Sequence, residues 1–204
     1  MLAYTPLHTK EGIDELRLVA VETIRETLGD ARWEFMVTDR DPDVPTILST
    51  VGNNRFGVPD LMIGFGLTEK GVGHLRATFN DLLAYLEWNK DFTSGEVDLE
   101  DYYAFLVQQR GYDSIPRIEP TTRMYLHHVD ATRWLAGQGW QHAQFYNADE
   151  CANARFLQLV AVDDKGRLPW DEGYNFVQQH ILESEPFGKK PVDAPVAARA
   201  HYLN

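Results

Sequence analysis

The sequence predicts an α+β fold: a single domain with a mixed, largely antiparallel sheet packed by two long helices, and an extended C-terminal tail. Three observations carry this reading. Helical and strand patterns alternate irregularly, and some strand candidates adjoin with no helix between them, which disfavours a doubly wound parallel sheet. The run Arg155 to Val162 (RFLQLVAV) is apolar on both parities and reads as a central strand. The 204 residues are 44% hydrophobic and 25% charged, the balance of an ordinary globular domain. The domain is expected over 1–185 and the tail over 186–204, where Pro and Ala replace bulky apolar residues.

Along the chain, Glu11 to Gly29 reads as an amphipathic helix. Ile13, Leu16, Ala20, Ile24 and Leu28 share one face, and Gly29 is a natural stop. Trp33 to Thr38 is a short strand. Asp39 to Pro45 holds two prolines and reads as a loop. Thr46 to Val51 is a β-rich strand that ends at the turn signal Gly52-Asn53-Asn54, and Pro59 to Gly66 is its neighbour. The second long helix is expected over Thr68 to Trp88, with Leu75, Phe79, Leu82, Leu83 and Leu86 as its apolar stripe.

Asp91 to Asp101 is polar and acidic and reads as a solvated loop or hairpin. Tyr102 to Gln109 is apolar on both parities, and the reading favours a strand over a helix. Thr122 to Val129 is a strand. Asp130 is a good N-cap for a short helix, Ala131 to Ala136, closed by Gly137 and Gly139. Trp140 to Ala154 is ambiguous, with helix favoured. Asp163 to Arg167 is the turn after the central strand.

Composition excludes several classes of function. There are 31 acidic against 19 basic residues, a net charge of −12. Such a surface repels nucleic-acid backbones and anionic membranes, and the longest basic cluster is only Lys189-Lys190. No stretch reaches the roughly 18 apolar residues of a membrane span. Cys151 is the only cysteine, so intrachain disulfides and Cys-based zinc sites are excluded. Met1 to Pro6 shows neither a basic nor an apolar signal region, and the expected location is cytoplasmic.

Two segments carry a family likeness. One runs Phe156-Leu157-Gln158-Leu159-Val160, then Asp163, Gly166-Arg167, Pro169-Trp170 and Gly173-Tyr174. The other runs Thr50-Val51-Gly52, then Pro59-Asp60-Leu61 and Phe65-Gly66-Leu67. Together they resemble the bacterial and phage family called domain of unknown function 4262, over about residues 46–182. That family has a histidine before the proline and a glutamate after it; here these are Val58 and Asp60. The resemblance implies a fold and a candidate surface, and no reaction.

No complete catalytic motif is present. Pro169-Trp170-Asp171-Glu172-Gly173-Tyr174 is the most structured signal. Read functionally, Trp170 and Tyr174 form an aromatic wall, with Asp171 and Glu172 as acceptors for a ligand's amine or hydroxyl protons. Read structurally, it is a tight turn anchored by Trp170. His127 and His128 alternate across a strand and so face opposite sides. His128 and His142 are the histidines expected to join a pocket. Gly64 to Glu69 lacks the third glycine of a dinucleotide fingerprint, and Gly71-Val72-Gly73 lacks a P-loop's lysine. Arg76 is the natural helper for an anion there, and Arg117, Arg123, Arg133 and Arg155 would bind an anionic small molecule if any of them converge. Cys151 follows two carboxylates, which blunts its nucleophilicity.

The expected function is therefore a cytoplasmic, non-catalytic protein with no metal and no cofactor. It holds a small polar or nucleotide-like ligand, or a protein partner. A phage antagonist of host defence is one form of such a protein. A homo-oligomer built through the tail fits the same reading. The alternative is a hydrolase with a histidine base and acidic partners from the 127–128, 142 and 171–172 regions, which requires those groups within hydrogen-bond reach.

Overall fold

The computed structural model describes residues 22, 24–29, 31–38, 47–64, 69–137, 139–175, 179 and 181–182. The expected loop 39–45, the tail 186–204, most of the first helix, and Phe65 to Thr68 of the glycine-containing turn lie outside the described residues. In chain order the strands are β1 (Glu34–Thr38), β2 (Ile47–Val51), β3 (Asp60–Ile63), β4 (Gly95–Glu96), β5 (Tyr125–Val129) and β6 (Phe156–Val160). The helices are α1 (24–29), α2 (Glu69–Trp88), α3 (Leu99–Arg110), α4 (Ala131–Ala136) and α5 (Ala148–Ala152). The fold is α+β, as the irregular alternation predicts.

The six strands make one sheet in the order β1-β2-β3-β6-β5-β4. Four of its five pairings are antiparallel, and β3 runs parallel to β6 with Asp60 opposite Phe156. Strand β6 is central, and Phe156 and Leu157 are buried on opposite faces.

Two layers cover the sheet. On one face Leu61, Ile63, Leu126 and Leu157 pack against Leu75, Phe79, Leu82 and Leu86 of α2 and against Tyr102, Phe105 and Leu106 of α3. The other face buries Ile47, Met62, Val129 and Phe156 under Trp134 of α4, Ala154 and Leu182. Beside that cluster, Met36 and Val51 pack with Leu28 of α1 and Tyr146. Each fully buried aliphatic or aromatic side chain of this kind contributes about 1.5–3 kcal/mol relative to exposure.

The expected strand at 102–109 is a helix. Asp98 caps it, accepting from the backbone N–H groups of Glu100 (2.9 Å) and Asp101 (3.2 Å). Gly111 closes it at φ 73°. Its apolar residues fall on both parities because helical spacing gathers Tyr102, Phe105 and Leu106 on one buried face, while Glu100, Asp101, Gln108 and Gln109 stay exposed. The acidic stretch before it is not wholly loop: Gly95–Glu96 adds the edge strand β4 to β5. Residues 140–154 form two short pieces, a 3-10 turn at His142–Gln144 and α5, the latter closed by an Asn147–Glu150 capping box.

Candidate functional site

The turn after β6 is built around Asp163. Its buried carboxylate accepts from the backbone N–H groups of Lys165 (3.0 Å), Arg167 (2.9 Å) and Asn175 (3.1 Å) and from Arg167 Nε (2.7 Å). Burial alone would raise its pKa; the Arg167 guanidinium and the three amides hold it well below the usual carboxylate range. Gly166 crosses this turn at φ 73°, and a Cβ there would stand 2.6 Å from the Thr121 carbonyl oxygen. Only glycine allows that approach.

The turn sets Trp170 against β5. Its indole meets the Tyr125 ring edge-on, with centroids 4.8 Å apart at 68°, and the His127 ring lies 6.3 Å away. Trp170 and Tyr125 are both part-exposed. Asp171 closes the turn by accepting from Leu168 N–H at 2.7 Å. Arg123 ties the assembly together. It grips Glu96 bidentately (2.7 and 2.9 Å), donates to the Gly166 carbonyl at 3.1 Å and reaches Asp171 at 3.3 Å. Glu96 is held below the usual carboxylate range by that guanidinium, against a smaller opposing effect of burial.

Gln179 and Leu182 anchor to the residues of and after β6. Gln179 accepts from Ala161 N–H (2.6 Å) and donates to its carbonyl (3.2 Å) and to the Tyr174 hydroxyl (2.9 Å). Leu182 is pinned at both backbone groups. Its N–H donates to Gln158 Oε1 at 2.8 Å, and its carbonyl accepts from His127 Nε2 at 3.0 Å. Burial lowers the His127 pKa, with the Leu182 bond opposing it, so the imidazole is neutral with its proton on Nε2.

A second constellation is wholly interior. Asp60, at the start of β3, is fully buried. Its Oδ1 accepts from Thr50 Oγ1 (2.9 Å), Asn53 N–H (3.3 Å) and Asn53 Nδ2 (3.1 Å). Its Oδ2 accepts from Asn54 Nδ2 (2.7 Å) and from the Tyr146 hydroxyl. That hydroxyl in turn accepts from Gly52 N–H at 2.5 Å. Gly52 is at φ 117°, and a Cβ there would meet the Arg32 carbonyl oxygen at 2.6 Å. None of these partners is cationic. Burial pushes the Asp60 carboxyl up to about 6, against the opposing hydrogen bonds from Tyr146, Thr50, Asn54 and Asn53. On the far side of Thr50, His142 Nε2 donates to the Thr50 carbonyl at 3.1 Å. Its ring packs on Phe156 and Trp134, with centroids 5.2 and 5.6 Å away. Burial lowers the His142 pKa to about 4.

No family model matches the chain, and comparison with curated proteins and with solved structures finds no match.

Of the residues the sequence singles out, Trp170, Asp171 and Arg123 come together, with Glu172 exposed at their side. The expected wall of Trp170 and Tyr174 does not form. The Tyr174 hydroxyl turns to the Ala161 carbonyl at 3.2 Å, and Trp170 meets Tyr125 edge-on instead. Asp171 is held by the turn and by Arg123, so it is not a free acceptor. Arg76 is elsewhere, paired with Glu34 across the α2–β1 edge and lying over Trp33 and Phe35 at 5.0 and 4.9 Å. His128 points to the opposite face of β5 from Tyr125 and His127. His142 is in the core, where no ligand reaches it. Arg117 pairs with Glu119 and Arg133 with Asp130, so the arginines do not converge on one anion. Among the described residues, no group of three or more His, Cys, Asp or Glu is placed to hold a metal ion, and no helix is long and apolar enough to cross a membrane.

Tyr125 and Glu96 are the site residues that sequence reasoning missed. Period-two alternation puts Arg123, Tyr125 and His127 on one face, so that much was available. The pairing that sets Glu96 opposite Tyr125 was not.

Proposed function

We propose that this chain is a non-catalytic binding protein whose recognition surface is the Tyr125–Trp170 aromatic pair, with Glu96, Arg123, Asp171 and Glu172 around it. The observation that carries the reading is the edge-on Trp170–Tyr125 contact at 4.8 Å, which leaves both rings part-exposed on a rigidly braced turn. Aromatic rings fixed in this way offer contact area at little entropic cost. The brace is Arg123 with its two carboxylates, Asp163 beneath the turn, and Gln179 behind it. The motif that resembles the domain of unknown function 4262 family supplies Trp170 and the turn that carries it, and membership of that family is part of the proposal.

The histidine positions weigh against the hydrolase alternative. His127 is bonded to a backbone carbonyl, His128 faces the other side of the sheet, and His142 is interior. Among the described residues, no hydrogen bond joins any of the three to a carboxylate.

A fragment screen by two-dimensional NMR tests the binding reading, using nucleotides, amino acids and short charged peptides. Shifts clustering at the Trp170 indole N–H and at Tyr125 are expected. Shifts that cluster on another face, or no shifts at all, would remove the assignment.

A further inference from the structure

Resting on that reading of the surface, we infer that the occupant of the Tyr125–Trp170 site is a basic polypeptide segment, bound through an arginine or lysine side chain laid against Trp170. The argument is one of charge. Glu96 stands opposite Tyr125 in the sheet, Asp171 and Glu172 follow Trp170 in the chain, and Arg123 beside them is already engaged at Nε and both terminal nitrogens with Glu96, Asp171 and the Gly166 carbonyl. Asp164 and Lys165 on the adjacent turn offset one another. The local surface is therefore net negative, as is the whole chain at −12.

A phosphate or carboxylate ligand meets net negative charge here, and the guanidinium groups of Arg123 and Arg167 are paired with Glu96, Asp171 and Asp163. A cation finds the opposite: tryptophan is the best aromatic partner for a guanidinium or ammonium group, and Glu172 is exposed, with no hydrogen bond or ion pair to another described residue. His127 adds no competing charge, because it is neutral and donates to Leu182. A polypeptide fits better than a free amine, because the rings and the flanking carboxylates offer contacts to more than one side chain along a strand.

The experiment titrates the full chain with tetra-arginine, arginine amide and adenosine monophosphate. The readout is the Trp170 indole N–H resonance, assigned by comparison with Trp170→Phe. Tetra-arginine is expected to shift that resonance. Glu172→Gln should weaken the binding about two- to fivefold, the effect of one rim charge. Raising the salt should weaken it further. Arginine amide binding as tightly as tetra-arginine would overturn the polypeptide assignment. Adenosine monophosphate shifting Trp170 while tetra-arginine does not would overturn the cationic assignment but leave the binding surface standing. If none of the three shifts Trp170, both fall. Tetra-arginine shifts spread over the acidic surface, with no preference for Trp170, would also overturn the inference.

Discussion

Asp60 and His142 meet on opposite sides of one residue: the Thr50 hydroxyl donates to Asp60 at 2.9 Å, and the Thr50 carbonyl accepts from His142 at 3.1 Å. Both side chains are fully buried, and neither is paired with an opposite charge. Burial favours the neutral form of each, which moves the two groups in opposite directions.

This arrangement predicts a compensated pH dependence. The Asp60 pKa rises from 3.8 to about 6 on folding, so its contribution to stability is present below 3.8 and is lost as pH rises through about 6. The His142 pKa falls from 6.5 to about 4, so its contribution is present above 6.5 and is lost as pH falls through about 4. Between those limits folding moves a proton from the imidazole to the carboxyl and changes the number bound by none. The pair then contributes almost no slope to stability against pH in that window. Asp60→Asn should expose the histidine's dependence, with stability falling by about 3 kcal/mol as pH drops from 6.5 to 4. His142→Gln should expose the reverse slope. Urea unfolding of the three proteins from pH 4 to 7 reads this directly, and parallel profiles for all three would refute it.

Tyr146→Phe should destabilise the protein by about 1–3 kcal/mol, because it leaves Gly52 N–H without its acceptor and removes one of five donors from the buried Asp60. It should also raise the Asp60 pKa further, since the lost bond is one that lowers it. Carbon-13 NMR of the Asp60 carboxyl across a pH titration measures that change. An unmoved midpoint would show that the tyrosine does not govern the carboxyl.

Gly166→Ala should cost at least about 1–3 kcal/mol, since the backbone is left-handed there and the new methyl meets a backbone carbonyl at 2.6 Å. The loss should appear in thermal unfolding and in the Trp170 environment together, because the Asp163 turn positions that ring. A wild-type melting temperature in this variant would argue against the close Thr121 contact.

Asp98→Ala should lower stability by about 1 kcal/mol through loss of the α3 N-cap. Helical circular dichroism should fall with it near the transition. A neutral effect would bring back the strand reading of 102–109.

Much of the fold follows from local chemistry. The α2 stripe, the β6 core run, the Asp130 cap and the Gly166 turn were all legible, because each depends on residues within one or two turns of each other. Helix α3 was not. Its capping signal, Asp98 and Gly111, was present, yet its apolar residues follow a two-sided pattern that a buried helix and a buried strand share. Only its packing in one core with α2 and the sheet decides between them.

The site divides in the same way. The sequence alone determined that His127 and His128 oppose one another, that the Pro169–Tyr174 segment is a tight turn bearing an aromatic residue, and that the chain carries a net charge of −12. Tertiary structure decided that Trp170 faces Tyr125 rather than Tyr174, that Arg123 is consumed by Glu96 and Asp171, and that Asp60 gathers Thr50, Asn53, Asn54 and Tyr146. The reason is physical. Alternation, capping and turn geometry are set by neighbours in the chain, whereas Tyr146 reaches Asp60 across 86 positions and Arg123 reaches Asp171 across 48. Such contacts exist only once strand pairing has fixed which ends of the sheet lie side by side.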